Sequence, residues 1–276
     1  MNKFDIVIIG SGLGGLLSAA ILSKYGYSVC VLEKNPVIGG NLQTFVRKNC
    51  RFNSGMHYLG SLDKGQILYR IFKFLEIYDK ITFEKFNTQC FDKIIIDNQE
   101  YDLATGIENY TNNLIKYFPE EENQIKNYID KIKQVWNNNP ILNFRDINND
   151  EYYNSNYQSE SLIDVINSII DNEKLKSVLL ANNGLYAGNP SETPFYIHAL
   201  ISYFFIQSAY RIKGGSHILT EAIKQIIEKN NGIVLTNKEV CKINILENKA
   251  ISVTNTDKTN IFANIFISNI HPSVTN

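Results

Sequence analysis

The run Ile6-Val7-Ile8-Ile9 stops at Gly10-Ser11-Gly12-Leu13-Gly14-Gly15, and no other stretch of the chain restricts its fold so tightly. Consecutive β-branched residues read as a strand, Phe4 to Ile9, buried on both faces. Leu16, Leu17, Ala20, Ile21 and Leu22 then recur at helical spacing, Gly26 closes that helix, and Ser28 to Leu32 returns as a second strand. Strand, glycine turn, helix and strand within about 30 residues make one βαβ crossover carrying the Gly-x-Gly-x-x-Gly fingerprint of a dinucleotide site. Gly10 allows the tight turn, Gly12 lets the backbone approach a pyrophosphate, and Gly15 permits close helix–strand packing. The phosphates would sit where the free N–H groups and the positive end of the helix dipole point. Glu33 follows roughly 20 residues on, placed to accept hydrogen bonds from a ribose and to repel a 2′-phosphate. The uncharged segment Ile6 to Leu22 is short for a bilayer span of about 20 residues and is broken by these glycines, so it reads as a turn and not as an anchor.

Beyond Leu62 the pattern turns mainly helical as far as Tyr210. Pro119 followed by Glu120, Glu121 and Glu122 marks a helix start, and Ile125, Tyr128, Ile129, Ile132 and Val135 form its apolar stripe. Leu162 to Leu180 is a second helical stretch, followed by a loop from Asn182 to Pro194. Phe195 to Ile206 is strongly apolar and reads as core, with a greasy substrate channel as the competing reading. After Gly214-Gly215, Ser216 reads as the cap of a helix running to Ile227. Short strands follow at 233–235, 240–246, 250–254 and 265–268, with a hairpin turn at Asn248.

The fingerprint alone does not separate NAD from FAD. The segment Lys34-Asn35-Pro36-Val37-Ile38-Gly39-Gly40-Asn41 adds a second piece of backbone without side chains. It resembles the FAD-binding N-terminus of the phytoene desaturase and amine oxidase superfamily, in which a double glycine after the ribose-binding Glu touches the diphosphate. Gly39-Gly40-Asn41-Leu42-Gln43-Thr44-Phe45 and Phe52-Asn53-Ser54-Gly55-Met56-His57-Tyr58-Leu59-Gly60 resemble the all-trans-retinol 13,14-reductase and carotenoid isomerase/desaturase branch. Phe195-Tyr196-Ile197-His198-Ala199-Leu200, Gly214-Gly215-Ser216 and Phe266-Ile267-Ser268-Asn269 resemble the same branch in the same order. Two positions depart from it: Asn41 replaces a common Arg, and Asn53 stands where an Asp is usual.

The resemblance implies a Rossmann-like, doubly wound α/β FAD-binding domain (1–61 and 211–276) interrupted by a mainly helical substrate domain (62–210). It implies FAD contacts from Gly10, Gly12, Leu13, Gly14, Gly15, Glu33, Lys34, Gly39, Gly40 and Asn41, and an adenine contact from the backbone of Val240. Gly55, Met56 and His57 would pass near the isoalloxazine ring, His57 either handling a proton or serving as a structural residue. His198 and His217 read as structural or substrate-domain residues. The implied reaction is hydride exchange between the flavin and a carbon–carbon double bond of an apolar polyene, with NAD(P)H as an external reductant. An NAD-dependent dehydrogenase and a non-catalytic FAD-binding fragment are the competing readings. Members of this branch continue past 276 residues, so the chain is expected to hold flavin without efficient turnover and to be marginally stable or dimeric.

Composition narrows the partners. Lys+Arg number 27 against 28 Asp+Glu, for a formal net charge of -1, which gives a nucleic acid nothing to bind over the whole surface. Cys30, Cys50, Cys90 and Cys241 lie far apart with no metal-ligand spacing and fit reduced thiols of a cytoplasmic protein. No nucleophilic triad is visible, so hydrolysis has no machinery here. Apolar segments such as Ala199 to Ile206 lead us to expect peripheral contact with a membrane surface.

Overall fold

The computed structural model describes residues 3–144 and 160–275, so part of the middle helical stretch, 145–159, lies outside the described residues. The chain divides into two compact units, one of Met1–His57, Ile71–Phe83 and Ile212–Asn276, the other of Tyr58–Arg70 and Glu84–Arg211. The division assigns Ile71–Phe83 to the first unit, which the sequence pattern does not reveal.

The first unit is built on β1 (Lys3–Ile9), α1 (Leu13–Lys24), β2 (Val29–Leu32), β3 (Thr44–Arg47), β4 (Cys50–Asn53), α2 (His217–Lys229), β5 (Ile233–Leu235), β6 (Val240–Leu246), β7 (Lys249–Asn255) and β8 (Asn260–Ser268). Six strands form one sheet in the order β5-β2-β1-β8-β7-β6. The first four run parallel, and β7 and β6 add an antiparallel extension. This is a Rossmann-like α/β fold. Val7, Ile9, Cys30 and Leu32 point to one face and cluster with Ile243 and Val253 of the antiparallel extension and with Ile261 and Ala263 of β8. Ile6, Ile8, Val29 and Val31 alternate to the opposite face and are also buried. Leu16, Ala19 and Ala20 of α1 are buried, and α1 packs on α2, which buries Leu219, Ile223, Ile226 and Ile227. Because β2 and β8 flank β1 on opposite sides, the winding reverses at the carboxyl end of β1, where open α/β sheets form their ligand crevice.

In the second unit the sequence stripe holds: the helix Glu122–Asn138 buries Ile125, Tyr128, Ile129, Ile132 and Val135, and Trp136 with them. Phe195–Gln207 is a helix that buries Phe195, His198, Ala199, Tyr203 and Ile206, with Tyr203 and Trp136 ring centroids 5.0 Å apart. Segment 199–206 therefore supplies core packing and not an exposed apolar surface, which removes the basis for reading it as a membrane contact. The stretch 162–180 is two helices, Leu162–Ile169 and Glu173–Leu180, because Asn172 accepts from the N–H groups of Lys174 and Leu175 and starts a new helix. A hairpin, Asp92–Ile96 with Gln99–Leu103, also interrupts the mainly helical reading.

Ser216 does not cap α2 through its side chain. It has helical backbone angles and makes no side-chain cap bond. Its hydroxyl donates to the Leu42 carbonyl at 2.7 Å, and Oδ1 of Asn53 accepts from the Ser216 N–H at 3.0 Å. Asn53, 163 residues earlier, thus serves the start of α2 and ties β4 to it. Replacing Asn53 with Leu is expected to cost about 1–2 kcal/mol of stability by leaving the Ser216 N–H unpaired. Asn53→Asp should keep the contact and add a favourable charge at a helix N-terminus; equal urea midpoints for the Leu and Asp variants would contradict this.

Candidate dinucleotide site

Three strand ends meet at the crevice. Gly10 follows β1, Glu33 follows β2, and Asn269 follows β8, with the Asn269 N–H donating to the Ile9 carbonyl at 2.8 Å. Gly12 stands at the N-cap of α1 in extended conformation, with no side-chain cap and no acidic residue in the first turn. Among the described residues the first N–H groups of α1 therefore have no side-chain acceptor, as an anion site requires. A Cβ on Gly15 would come within 2.2 Å of the Gly10 carbonyl oxygen, so the turn closes only with glycine there.

Glu33 is 5% exposed, yet it already has partners. Its Oε2 accepts from the Ser11 N–H at 3.0 Å and the Ser11 hydroxyl at 2.5 Å, and its Oε1 accepts from the Asn35 N–H at 2.9 Å. Ser11 in turn accepts from the Gly39 N–H through its carbonyl at 3.0 Å and its hydroxyl at 3.2 Å. One buried serine thus couples the carboxylate to the second glycine pair. Gly39 and Gly40 have φ of +112 and +54, and a Cβ on Gly40 would lie 3.2 Å from the Gly12 Cα. The two glycine turns are stacked backbone on backbone.

The hairpin β3–β4 then turns the chain back. Ser54 donates through its N–H to the Gln43 carbonyl at 3.0 Å, and a Cβ on Gly55 would lie 3.0 Å from the Asn41 carbonyl oxygen. Gly39, Gly40, Asn41 and Gly55 are therefore gathered on one side of the first glycine turn. Leu13, Gly14, Lys34, Asn41 and His57 are exposed and Met56 is half-buried. Val240 lines a small cavity of about 80 Å³ with Ile9, Ser268 and Ile270, beside the carboxyl end of β1.

Two contributors escaped the sequence reading. Ser11 occupies an x of the fingerprint, where no rule asks for a hydroxyl. The Asn269 amide lies over the glycines: a Cβ on Gly14 would be 2.7 Å from its Oδ1 and one on Gly12 3.2 Å from its Nδ2. Only the resemblance of Ser268-Asn269 hinted at it. His217 also borders this region; burial and the nearby Arg51 cation push its pKa down, and its Nδ1 is buried without a partner among the described residues.

His198 belongs to the other unit. Its Nε2 is 2.9 Å from the Tyr128 hydroxyl and its Nδ1 is 3.1 Å from the Tyr186 hydroxyl, which also bonds Oδ1 of Asn183. With Tyr186 donating to Asn183, His198 carries its proton on Nδ1 and accepts at Nε2. Burial holds its pKa down at about 4, so it is neutral.

Residues 8–75 match the family described as NAD(P)-binding Rossmann-like domain. The all-trans-retinol 13,14-reductase of Danio rerio is 32% identical over 264 residues, covering 88% of this chain and 42% of the reductase. The chain is a homologue of the all-trans-retinol 13,14-reductases. A second homologue is the 1-hydroxycarotenoid 3,4-desaturase of a Flavobacterium species, 26% identical over 96% of this chain and 56% of that protein. An oxidoreductase from Methanosarcina mazei shares the fold, with a TM-score of 0.70 and 23% identity over 96% of this chain and 58% of that one. This chain thus spans roughly half the length of the reductase and desaturase relatives it matches. The resemblance read from Gly39-Gly40-Asn41 onward is confirmed, and those relatives are oxidoreductases. Among the described residues no helix is long and apolar enough to cross a membrane.

Proposed function

We propose that this chain holds FAD and forms the flavin-binding part of an oxidoreductase acting on carbon–carbon double bonds of a conjugated, apolar polyene. The observation that carries the proposal is the linked set of Glu33, Ser11, Gly39 and Gly40 at the carboxyl ends of β1 and β2. That set fits the group: the Glu33 carboxylate is fixed before any ligand arrives, and Gly12, Gly14 and Gly40 leave backbone open beside an uncapped helix terminus. A second stretch of bare backbone after the ribose carboxylate favours a long flavin dinucleotide over NAD. Glu33 would accept from the adenosine ribose through the free capacity of Oε1, while the first turn of α1 holds the diphosphate. Lys34, Leu13 and Asn41 would flank the dinucleotide, and Val240 would offer its backbone toward adenine.

Bound flavin supplies hydride exchange with the polyene. Gly55 and Met56 would shape the backbone beside the flavin ring, and the exposed imidazole of His57 would hold or move a proton there. The polyene assignment rests on the names of the reductase and desaturase relatives, and NAD(P)H is the proposed external reductant.

The test is to purify the chain, record its visible spectrum, reduce it anaerobically with dithionite, and add all-trans-retinol or a carotenoid. A bound-flavin spectrum and stoichiometric reoxidation by the polyene are expected. A colourless protein that binds NAD would favour the dehydrogenase reading.

A further inference from the structure

We propose that the hairpin β3–β4, Thr44–Asn53, is a docking element for the surface of an anionic lipid bilayer. Among the described residues it pairs only with itself, as a two-stranded sheet, and every strand residue except Thr44 is exposed. A lone two-stranded ribbon has too little cover to be stable in water by itself. Yet this one displays Phe45 at 52%, Val46 at 58% and Phe52 at 47% exposure. Phe45 and Phe52 are directly opposite in register, and their rings stack with centroids 5.3 Å apart. On the same ribbon stand Arg47, Lys48 and Arg51, all exposed, with Lys48-Asn49 forming the tip in left-handed conformation.

Charge decides what covers such a surface. No Asp or Glu occurs between Glu33 and Asp63, although the whole chain carries a net charge of -1. The ribbon is a local cationic excess around an aromatic pair, the combination that sits at a headgroup boundary: rings enter the interface and cations meet lipid phosphates and carboxylates. An apolar protein partner would leave three cations unmatched, and a nucleic acid would not use the aliphatic Val46.

The experiment is flotation of the chain with vesicles of phosphatidylcholine alone and of phosphatidylcholine with 30 mol% phosphatidylserine, at two salt concentrations. The wild type should bind the anionic vesicles and lose binding as salt rises. Each Lys or Arg at such a surface is worth about fivefold in affinity, so Arg47→Glu with Lys48→Glu should weaken binding by roughly 25-fold or more. Phe45→Ser with Phe52→Ser should remove the binding that survives high salt. Far-UV circular dichroism and the thermal midpoint show that these variants fold. As a second reading, Phe52→Trp, which keeps the ring, should be quenched by brominated acyl chains beyond the background of Trp136. Equal binding to both vesicle types, unchanged binding by the charge-reversed variant, or a dimer that Phe45→Ser dissociates with vesicle binding intact would each overturn the proposal.

Discussion

Gly12→Val is expected to yield a folded protein that has lost its flavin, whereas Gly15→Ala is expected to lose the fold around the site. The two substitutions fall three residues apart and separate binding from folding. A Cβ at Gly12 meets the Asn269 amide nitrogen at 3.2 Å, the end of a side chain on an exposed turn, which can give by a few tenths of an ångström. The space that valine fills is the one through which a pyrophosphate would reach the backbone, so affinity for FAD should fall on the order of 100-fold, about 3 kcal/mol. A Cβ at Gly15 instead meets the Gly10 carbonyl oxygen at 2.2 Å. Backbone must move there, and the cost should be about 3 kcal/mol even with no ligand present. Thermal midpoints together with flavin content check both. Full flavin retention by Gly12→Val would contradict the placement of the phosphates.

Acid should destabilise this protein through His198. The imidazole is fully buried, and burial lowers its pKa from 6.5 to about 4. The unfolded chain takes up the proton first as pH falls below 6.5, so stability is lost from there down to about pH 4, where the native state also protonates. A difference of 6.5 − 4 = 2.5 pH units corresponds to about 3 kcal/mol. His198→Gln keeps a side chain that can bond Tyr128 and Tyr186 but cannot titrate, so its stability should fall less across this window. Urea unfolding of both proteins between pH 4 and 7 reads the difference directly, and parallel pH profiles would show that His198 is not buried neutral.

The sequence made the βαβ unit legible because its determinants are local. A β-branched run, three spaced glycines and one carboxylate lie within 30 residues, and each restricts backbone or burial on its own. The apolar stripe from Ile125 to Val135 was legible for the same reason. What escaped depends on contacts between distant segments. Asn53 serving the start of α2 involves no pattern near either residue. Ser11 matters because Glu33 and Gly39 both fold onto it. The hairpins at 44–53 and 92–103 escaped because their turns are Lys48-Asn49 and Asp97-Asn98, with left-handed asparagines where a glycine would have signalled a turn. Glu247-Asn248 uses the same device, and it was found only because clear strands flank it. His198 read only as a structural or substrate-domain residue, and its two tyrosine partners, 70 and 12 residues away, could not be read from spacing.

Competitive binding of FAD, FMN and ADP shows which end of the flavin dinucleotide this chain holds. On the proposed reading the ADP end of the dinucleotide is the gripped end, with Glu33 at the ribose and the α1 terminus and Gly40 at the diphosphate. FMN lacks that end. Titrating flavin-stripped protein with FAD and with FMN, and then displacing FAD with ADP, asks whether the grip is where we place it. FAD is expected to bind at least about 100-fold more tightly than FMN, ADP to compete with it, and Ser11→Ala to weaken FAD and ADP alike. FMN binding as tightly as FAD, with ADP unable to displace either, would contradict it.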